Sequence, residues 1–409
     1  MCGQVPVGAR GERGGVAMET MKHSGRLFVP SLPTLWPHML LSRPKPGELP
    51  PFSSPNVRYF YFARNAIWLT VKMLGLDSGE VLMPAYHHGV EVEALVDAGA
   101  TPRFYRVGSR WDVDLDDVAR RIGPKTRALY LTHYAGFPGP VAEMRKLADQ
   151  HGLILIEDCA LSLLSSDGAV PLGTTGDVGI FCLYKTLPVP NGGALVVNGP
   201  RQYSLPEPPA PPSVSTFSHT VSALLQNLEL RGGLAGRALR SAVRTLGHGT
   251  VKAANIERVA TGTQHFDRKH VDLGMSPLTK RIAQAQDLES IVEQRRRNYF
   301  FLLGRLRDIS APLFNQLPPG ACPLFYPLVV QDKAEVLARL RVQGIDAIDF
   351  WKRFHPACDA SAFPEVAQLR RSIVEIPCHQ DLTPEVMADV AQAVREAVKS
   401  DHRSKKRAG

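Results

Sequence analysis

The sequence lacks any run of about 18 consecutive apolar residues, roughly the length that a membrane-spanning helix requires. Its first 25 residues also lack the apolar core of a secretory signal, and they are predicted to be a disordered lead-in. Both absences argue against a membrane protein or a secreted one. We therefore expect a cytoplasmic protein with no membrane partner.

Cysteine is scarce, and its spacing does not suit a metal site. The six cysteines form no CxxC pair. They are Cys2, Cys159, Cys182, Cys322, Cys358 and Cys378. In a chain without a secretory signal, cysteines in this arrangement are expected to be reduced thiols. We predict no bound metal.

Positive charge is in excess, with 48 Lys and Arg against 39 Asp and Glu, but it is confined to three segments. Residues 1–25, 201–252 and 399–409 account for the whole formal charge of +9. A groove that binds nucleic acid would instead distribute basic side chains along the folded elements. The chain is therefore not predicted to bind nucleic acid.

From Tyr59 onward, apolar runs of strand length alternate with segments of helical periodicity. This alternation predicts an α/β fold with a mostly parallel sheet and helices on both of its faces. A proline-rich stretch at 204–213 then opens a basic insertion, and a long helix over 278–306 leads to a small α+β domain. The predicted divisions are a disordered lead-in at 1–25, a large domain at 26–306 with a peripheral, partly mobile insertion at about 201–270, a small C-terminal domain at 307–398, and a basic disordered tail at 399–409.

A carboxylate follows a strand that is predicted to be buried on both faces. The strand is the apolar run at Leu153–Ile156, and Glu157 and Asp158 come directly after it. Asp158 has two interpretations, the N-cap of a helix or the partner of a cationic ligand. Open α/β folds bind ligands at the carboxyl edge of their parallel sheet, which favours the second interpretation.

Two further features occur in order along the same predicted sheet. A helix starts near Arg64, and the unpaired N–H groups of its first turn suit a phosphate. Lys185 lies between a strand and the Gly192-Gly193 turn, where it could form a Schiff base with an aldehyde. A carboxylate such as Asp158 can keep a pyridine nitrogen protonated. Phosphate, pyridine and aldehyde are the three groups of pyridoxal 5′-phosphate (PLP), so the features together predict this cofactor.

The chain resembles the DegT/StrS-type sugar aminotransferases, which are PLP enzymes of fold type I. The resemblance runs from about Tyr59 to Val398 and is carried by LGLDSGEVLMPAY, AGATPRFYRV, IGPKTRALYLTHYAGFPGPV, GLILIEDCA and the closing IPCHQDLTPEVMADVAQAV. It implies a large PLP-binding domain and a small C-terminal domain. It also implies a homodimer, with the helix at 278–306 and the loops near Gly274 as the expected contact.

The resemblance assigns roles to individual residues. Asp158 corresponds to the Asp that binds the pyridinium, and Lys185 to the Schiff-base Lys. The remaining cofactor-binding candidates are Asn65 and Ala66 at the phosphate, His88 against the ring with His87 as its rival, and Cys182 in place of the family's Ser before the lysine. Two departures from the family pattern are Leu161, which replaces a Gln or His, and a lysine loop two residues shorter than usual.

The expected function is an aminotransferase that converts a keto sugar, carried on a nucleotide, to an amino sugar with an amino acid as donor. One alternative is a PLP-dependent sugar dehydratase of the same fold, against which Lys185 argues because those relatives generally have His there. The other alternative is a non-catalytic binding protein. A nucleotide diphosphate needs cationic partners, and the insertion offers Arg231, Arg237, Arg240 and Arg244. A solvated helix face is the competing interpretation of these arginines.

Overall fold

The structure is a computed structural model that describes residues 28–45, 47–199, 207–253 and 266–408. The lead-in predicted at 1–25 lies outside the described residues. Within the described ranges, no helix combines the length and the apolar character needed to cross a bilayer.

A seven-stranded sheet forms the centre of the large domain. The strands of this part of the chain are β1 (Val57–Phe60), β2 (Glu80–Pro84), β3 (Thr101–Tyr105), β4 (Thr126–Thr132), β5 (Ile154–Cys159), β6 (Ser166–Asp167), β7 (Val170–Pro171), β8 (Val178–Cys182) and β9 (Gly193–Val197). The order across the sheet is β1-β9-β8-β5-β4-β2-β3, while β6 and β7 form a separate hairpin. Strands β3, β2, β4, β5 and β8 are parallel, and β9 runs antiparallel to both of its neighbours.

Four helices connect the parallel strands. They are α1 (Ala63–Met73), α2 (Val90–Asp97), α3 (Leu115–Arg121) and α4 (Val141–His151). They pack in two groups, α1 with α2 and α3 with α4. Local chemistry sets their ends: the Asp114 carboxylate accepts a hydrogen bond from the N–H of Asp117 at the start of α3, and Gly152 ends α4 in the left-handed conformation. The predicted α/β fold with a mostly parallel sheet is confirmed.

The insertion after β9 contains one long helical segment, α5 (Ser213–Ala253), which covers the stretch predicted to be helical. Its backbone leaves the helical conformation at Gly233, where φ is 54°. The second half then folds back onto the first, since a Cβ at Gly236 would lie 2.3 Å from the carbonyl oxygen of Leu228. Glycine is needed at both positions, for the turn and for the close approach.

The single helix predicted over 278–306 is in fact two helices, α6 (Pro277–Gln284) and α7 (Leu288–Leu306). Asp287 interrupts the helix because its carboxylate accepts a hydrogen bond from the N–H of Ser290 at 3.1 Å. This bond caps the start of α7 and replaces the backbone hydrogen bond that a continuous helix would make there.

The small domain has one sheet and three helices. They are β10 (Phe325–Val329), α8 (Lys333–Val342), β11 (Ile348–Asp349), α9 (Pro364–Ser372), β12 (Ile373–Pro377) and α10 (Pro384–Ala408). β12 is the central strand and is antiparallel to both neighbours. One hydrophobic cluster runs from the large sheet into the small one and includes Leu129, Tyr299 and Val374. The domains therefore meet through a shared core.

Two details of the predicted domain boundaries need correction. The segment 399–408, predicted to be part of a disordered tail, is the end of α10, because its lysine, arginine and alanine residues are good helix formers. Residues 29–34 contact the small domain, whereas the segment from Leu35 to Phe52 packs on the large one. Val29 pairs with Ile345, and the N–H of Thr34 donates to Asp381 at 2.5 Å.

Candidate active site

A cavity of about 350 Å³ lies at the carboxyl ends of β5 and β8, between the large sheet and the small domain. Asp158, Lys185, His88 and Cys182 all line it. These four residues were predicted from the sequence as parts of one site, and the structure brings them together. The volume falls within the range of sites for small molecules.

The Asp158 carboxylate is buried, and each of its oxygens accepts one hydrogen bond. Oδ1 accepts from the N–H of Ala160 at 2.9 Å, and Oδ2 accepts from the Tyr130 hydroxyl at 2.8 Å. Burial, followed by the charge of Glu91, raises the pKa of Asp158, although the two hydrogen bonds and Lys185 oppose this shift. Turns rather than a helix follow β5, so Asp158 is not an N-cap. Each oxygen has a second lone pair, which leaves the carboxylate able to bind a cationic ligand.

Lys185 lies in the loop between β8 and β9, and the small domain holds this loop in place. The carbonyl oxygen of Thr186 accepts from Arg295 Nη2 at 3.1 Å and from Gln380 Nε2 at 3.0 Å. Arg295 is fully buried, and its other donors reach Gln380 Oε1 and two backbone carbonyl groups of the small domain. Sequence reasoning missed Arg295, because an arginine in a run of three on a helix usually belongs to a solvated face.

The start of α1 forms another wall of the cavity through Ala63 and Arg64. Its N-cap residue, Phe62, offers no side-chain hydrogen bond to the first turn, and the backbone N–H groups at the start of a helix form a site where anions bind. Gly193 packs directly beside them, since a Cβ there would lie 2.3 Å from the nitrogen of Ala63. The Arg64 guanidinium adds a positive charge to this wall.

Asn65 and Ala66, the pair predicted to bind phosphate, are not among the residues that line the cavity. Asn65 Nδ2 donates to the carbonyl oxygen of His270 at 2.8 Å, and Ala66 is fully buried in the core. Their neighbours Ala63 and Arg64 occupy the cavity wall instead. Phosphate binding by the first turn of α1 stays a prediction, with the contact moved by one or two residues.

The structure distinguishes between the two adjacent histidines. His88 lines the cavity, and its buried Nδ1 has no hydrogen-bond partner among the described residues. Burial, with Lys185 and Arg64 nearby, lowers the pKa of His88 to about 4, so its ring is neutral at pH 7. His87 is engaged elsewhere: its Nε2 accepts from the N–H of His355 at 3.1 Å, and its Nδ1 faces a backbone carbonyl oxygen at 3.2 Å. This geometry favours His88 as the ring beside a ligand.

Cys182 forms part of the cavity wall next to Tyr184. Burial raises the pKa of the Cys182 thiol, although Lys185 opposes the shift. The thiol is therefore protonated at pH 7 and is a poor nucleophile. Leu161, the apolar replacement noted in the sequence, also lines the cavity.

Glu157 precedes Asp158 in β5 but serves the fold rather than the cavity. It accepts hydrogen bonds from three backbone N–H groups of the loop 173–176 at 2.5 to 2.9 Å, and a fourth involves His133 Nε2 at 3.1 Å. Burial raises the pKa of Glu157, but these hydrogen bonds outweigh it and hold the pKa below its usual value. The carboxylate thus fixes the loop behind β5 and, with it, the end of the strand.

His133, Glu157 and Cys159 have ligand atoms close enough together to hold a metal ion. However, His133 Nδ1 accepts from the N–H of Gly139 at 2.9 Å. The ring proton therefore lies on Nε2, which donates it to Glu157. Both ring nitrogens and both carboxylate oxygens are already used in hydrogen bonds, so this group is a structural network.

Three acidic residues at the cavity were not predicted from the sequence: Glu91 in α2, Asp349 in β11 and Glu375 in β12. Glu91 accepts from the N–H groups of His88 at 2.7 Å and Gly89 at 3.0 Å, which stabilises the start of α2. Burial raises the pKa of Glu91, while these bonds and Lys185 oppose the shift. Glu375 could have been noticed in the sequence, because it is a lone acid inside an apolar strand.

The described arginines of α5 that were candidates for a diphosphate do not line the cavity. Arg237 Nε lies 3.1 Å from one oxygen of Glu229, and Arg240 pairs with the other oxygen. Arg231 lies over a tryptophan ring at 4.4 Å. The side chain of Arg244 is outside the described residues. Glu229 therefore already neutralises two of these arginines.

Residues 63–205 match the model of the DegT/DnrJ/EryC1/StrS aminotransferase family. The matched segment contains β2 to β9, and with them Asp158 and Lys185. The resemblance to this family that the sequence predicted is confirmed.

Curated relatives match the same part of the chain. A GDP-perosamine synthase of Vibrio cholerae is 36% identical over 137 residues, which are 32% of this chain and 37% of the relative. A dTDP-4-dehydro-2,3,6-trideoxy-D-glucose 4-aminotransferase of Saccharopolyspora spinosa is 37% identical over 140 residues, covering 33% of this chain and 36% of the relative. The chain thus spans little more than a third of the length of these relatives.

Solved structures are similar over nearly the whole chain. The aminotransferase PseC of Helicobacter pylori, involved in the biosynthesis of pseudoaminic acid, has a TM-score of 0.64 at 16% identity, covering 91% of this chain and 100% of that one. The PLP-form of a sugar aminotransferase of Streptococcus pneumoniae has a TM-score of 0.66 at 12% identity, covering 91% and 99%. These likenesses show that the fold is shared.

Proposed function

We propose that this chain is a PLP-dependent aminotransferase that converts a nucleotide-linked keto sugar to an amino sugar, with an amino acid as donor. The observation that carries the proposal is that Lys185, Asp158 and the uncapped start of α1 line one cavity. The names of the two curated relatives, a GDP-sugar synthase and a dTDP-sugar aminotransferase, support the substrate class.

The residues at the cavity fit PLP. Asp158 is a buried carboxylate whose charge is costly without a cation, and a protonated ring nitrogen would supply one. The N-terminus of α1 and the positive charge of Arg64 suit a phosphate. His88 contributes a neutral ring whose buried Nδ1 has no partner among the described residues, which suits a flat aromatic ligand.

The chain's own residues would then divide the work. When bound, PLP supplies an aldehyde that combines with amino groups and a ring that withdraws electrons. The first turn of α1 and Arg64 would hold it through the phosphate, and Asp158 would keep a proton at the ring nitrogen. Lys185 Nζ would remove a proton from the α-carbon of the donor as general base and then, as general acid, deliver it to a different atom. The burial of the site keeps water from competing for that proton.

For the nucleotide part of the substrate, we infer that Lys352 and Arg353 are the phosphate contacts. Both line the mouth of the cavity and are exposed to solvent. The planar guanidinium of an arginine can bind two phosphate oxygens at once. These residues replace the arginines of α5 as candidates, because they line the cavity and the described arginines of α5 do not. Lys352 lies 3.5 Å from Asp349, an acid that also pairs with Lys333.

A homodimer and a cytoplasmic location are part of the same proposal. α6, α7 and the loops near Gly274 are the expected contact, and the ring of Phe300 on α7 is 46% exposed and offers apolar surface there. The five cysteines of the described residues are all free and buried, as expected of reduced thiols. Sedimentation of the active protein tests the dimer, and an active monomer would refute it.

The decisive experiment locates the cofactor. The purified protein is expected to absorb visible light, and borohydride reduction is expected to attach PLP to Lys185. Lys185→Ala should lose both signals. Lys280→Ala is the matched control, because the Lys280 Nζ lies over the Tyr59 ring outside the cavity, 4.9 Å from its centroid. Attachment at another lysine would refute the assignment, and a colourless protein that takes up no PLP would favour the non-catalytic alternative.

A further inference from the structure

Arg370, in the small-domain helix α9, is a buried arginine whose side chain reaches both domains. It is 4% exposed, and it forms no ion pair within the described part of the chain. A charge buried in this way is costly unless hydrogen bonds satisfy it. Nη1 donates to the carbonyl oxygens of Trp351 and Arg353, both at 2.6 Å. Nη2 donates to those of His87 at 2.9 Å and Ala85 at 3.3 Å.

The four carbonyl groups belong to two segments that form walls of the cavity. In the small domain, Trp351 and Arg353 line the cavity themselves, as does Lys352 between them. In the large domain, His87 directly precedes His88, which lines the cavity from the other side. One guanidinium therefore fixes the backbone at the mouth of the cavity and the backbone beside the histidine in its wall.

Further contacts hold Arg370 between the same two segments. Its guanidinium carbon lies 4.3 Å from the centroid of the Phe354 ring in the small domain and 5.3 Å from that of the Tyr86 ring in the large domain. A cation is attracted to the face of an aromatic ring at such distances. The hydrogen bond from the N–H of His355 to His87 Nε2, at 3.1 Å, joins the two segments directly.

The backbone of the small-domain segment has a conformation that needs such support. Trp351 has φ of 43°, in the left-handed region that residues with bulky side chains rarely adopt, and this costs energy. The carbonyl groups on either side of Lys352, those of Trp351 and Arg353, both accept from Arg370 Nη1. Without these bonds the segment would relax, and the Lys352 and Arg353 side chains would move with it.

We propose that Arg370 is a positioning residue for the nucleotide-linked substrate. It holds the segment that carries Lys352 and Arg353 in a fixed place relative to the loop that carries His88. Arg370 does not line the cavity, and both of its terminal nitrogens already donate to carbonyl groups, so it acts through these residues and not by touching the substrate. The proposal rests on the proposed function, in which Lys352 and Arg353 contact the phosphates.

The test measures the binding of a nucleoside diphosphate to the full-length, PLP-free protein, so that it does not depend on turnover. GDP and dTDP are the probes, since the names of the two curated relatives contain them. Isothermal titration calorimetry gives Kd. In Arg370→Lys, Kd is expected to rise by about 10-fold or more, because a single ammonium nitrogen lacks the planar fork that bonds both segments. The matched control is Arg371→Lys, which should leave Kd unchanged, because the exposed Arg371 guanidinium bonds Gln368 in the same helix.

Equal Kd values in the wild type and in folded Arg370→Lys would overturn the proposal, and so would a wild type that binds neither nucleotide. If Arg370→Lys does not fold, amide hydrogen exchange of the wild type takes its place. The bound nucleotide should slow exchange in residues 351–355 and also in residues 85–89, because Arg370 joins the two segments. Slower exchange in residues 351–355 alone would contradict the proposal.

A second measurement separates positioning from a general loss of structure. In the holoenzyme, Arg370→Lys should raise KM for a nucleotide-linked keto sugar by about 10-fold or more, with kcat and KM for the donor unchanged, because the lost interaction supports substrate binding. An equal rise in both KM values would mean that Arg370 supports the fold alone, and would overturn the proposal. Weaker nucleotide binding by Arg370→Lys in a protein that takes up no PLP would instead leave the positioning role intact and refute the proposed function.

Discussion

Replacing Glu157 by Gln should destabilise the protein more than its position behind the cavity suggests. Oε1 of this carboxylate accepts two backbone N–H groups of the loop 173–176, at 2.8 and 2.5 Å. Oε2 accepts a third at 2.9 Å and the Nε2–H of His133 at 3.1 Å. All four partners are donors, so the site requires a group with two acceptor oxygens. A glutamine has one oxygen, and its NH₂ group would face two donors.

The expected loss of stability follows from the two hydrogen bonds that the glutamine could no longer accept. A hydrogen bond to a charged group contributes about 1.5–3 kcal/mol, so the loss of two such bonds in Glu157→Gln should lower the free energy of unfolding by about 3–6 kcal/mol. Urea unfolding followed by tryptophan fluorescence at pH 7 measures this change. Glu335→Gln is the control, because its exposed i,i+4 pair with Arg339 contributes about 0.3–0.5 kcal/mol. A loss below about 1 kcal/mol in Glu157→Gln would refute the hydrogen-bond assignment.

The same hydrogen bonds predict how the stability contributed by Glu157 changes with pH. The pKa of Glu157 is lower in the folded protein than its ordinary value of 4.5. Its charge therefore contributes its full stabilisation above that value and loses it as the pH falls through the lowered pKa. The difference in stability between the wild type and Glu157→Gln should narrow in acid. A difference that widens as the pH falls would contradict the sign.

Two further substitutions test the cavity itself. Gly193→Ala would place a Cβ 2.3 Å from the backbone nitrogen of Ala63 at the start of α1. It should therefore weaken PLP binding by about 10-fold or more and destabilise the fold by about 1–3 kcal/mol. The control is Gly304→Ala inside α7, where the added Cβ meets nothing within 4 Å and should stabilise the fold by about 0.5–1 kcal/mol. Equal effects in both would show that the close approach is absent. Replacing Lys352 and Arg353 together by Ala should raise KM for a nucleotide-linked keto sugar by about 10-fold or more while leaving that for the donor unchanged, and Arg341→Ala on α8 should change neither constant. An equal rise in both constants would refute the phosphate contacts.

The sequence predicted the parts of the site that follow from local pattern. Asp158 and Lys185 each come after an apolar run of strand length, and parallel strands end at the same edge of a sheet. The resemblance to a family added their roles. Their meeting at one cavity could therefore be expected before any coordinates were known.

Where the prediction was incomplete, single residues decided the outcome. A shift of one residue along a helix turns the side chain by about 100°, so the resemblance could not distinguish Asn65 from Arg64 as the residue that faces the cavity. The adjacent His87 and His88 presented the same difficulty. The hydrogen bond from the N–H of His355 to His87, far away in sequence, is what separates them.

Taken alone, the sequence determined the α/β architecture, the small C-terminal domain and the pair Asp158 and Lys185, because hydrophobic periodicity and strand ends are local properties of the chain. Only the tertiary structure placed Glu375 and Lys185 at one cavity and Arg295 behind the lysine loop. These residues lie more than a hundred positions from Lys185, and no periodicity connects them to it. Long-range packing brings them together, and in a buried site the charges and hydrogen bonds created by that packing determine which groups can move a proton.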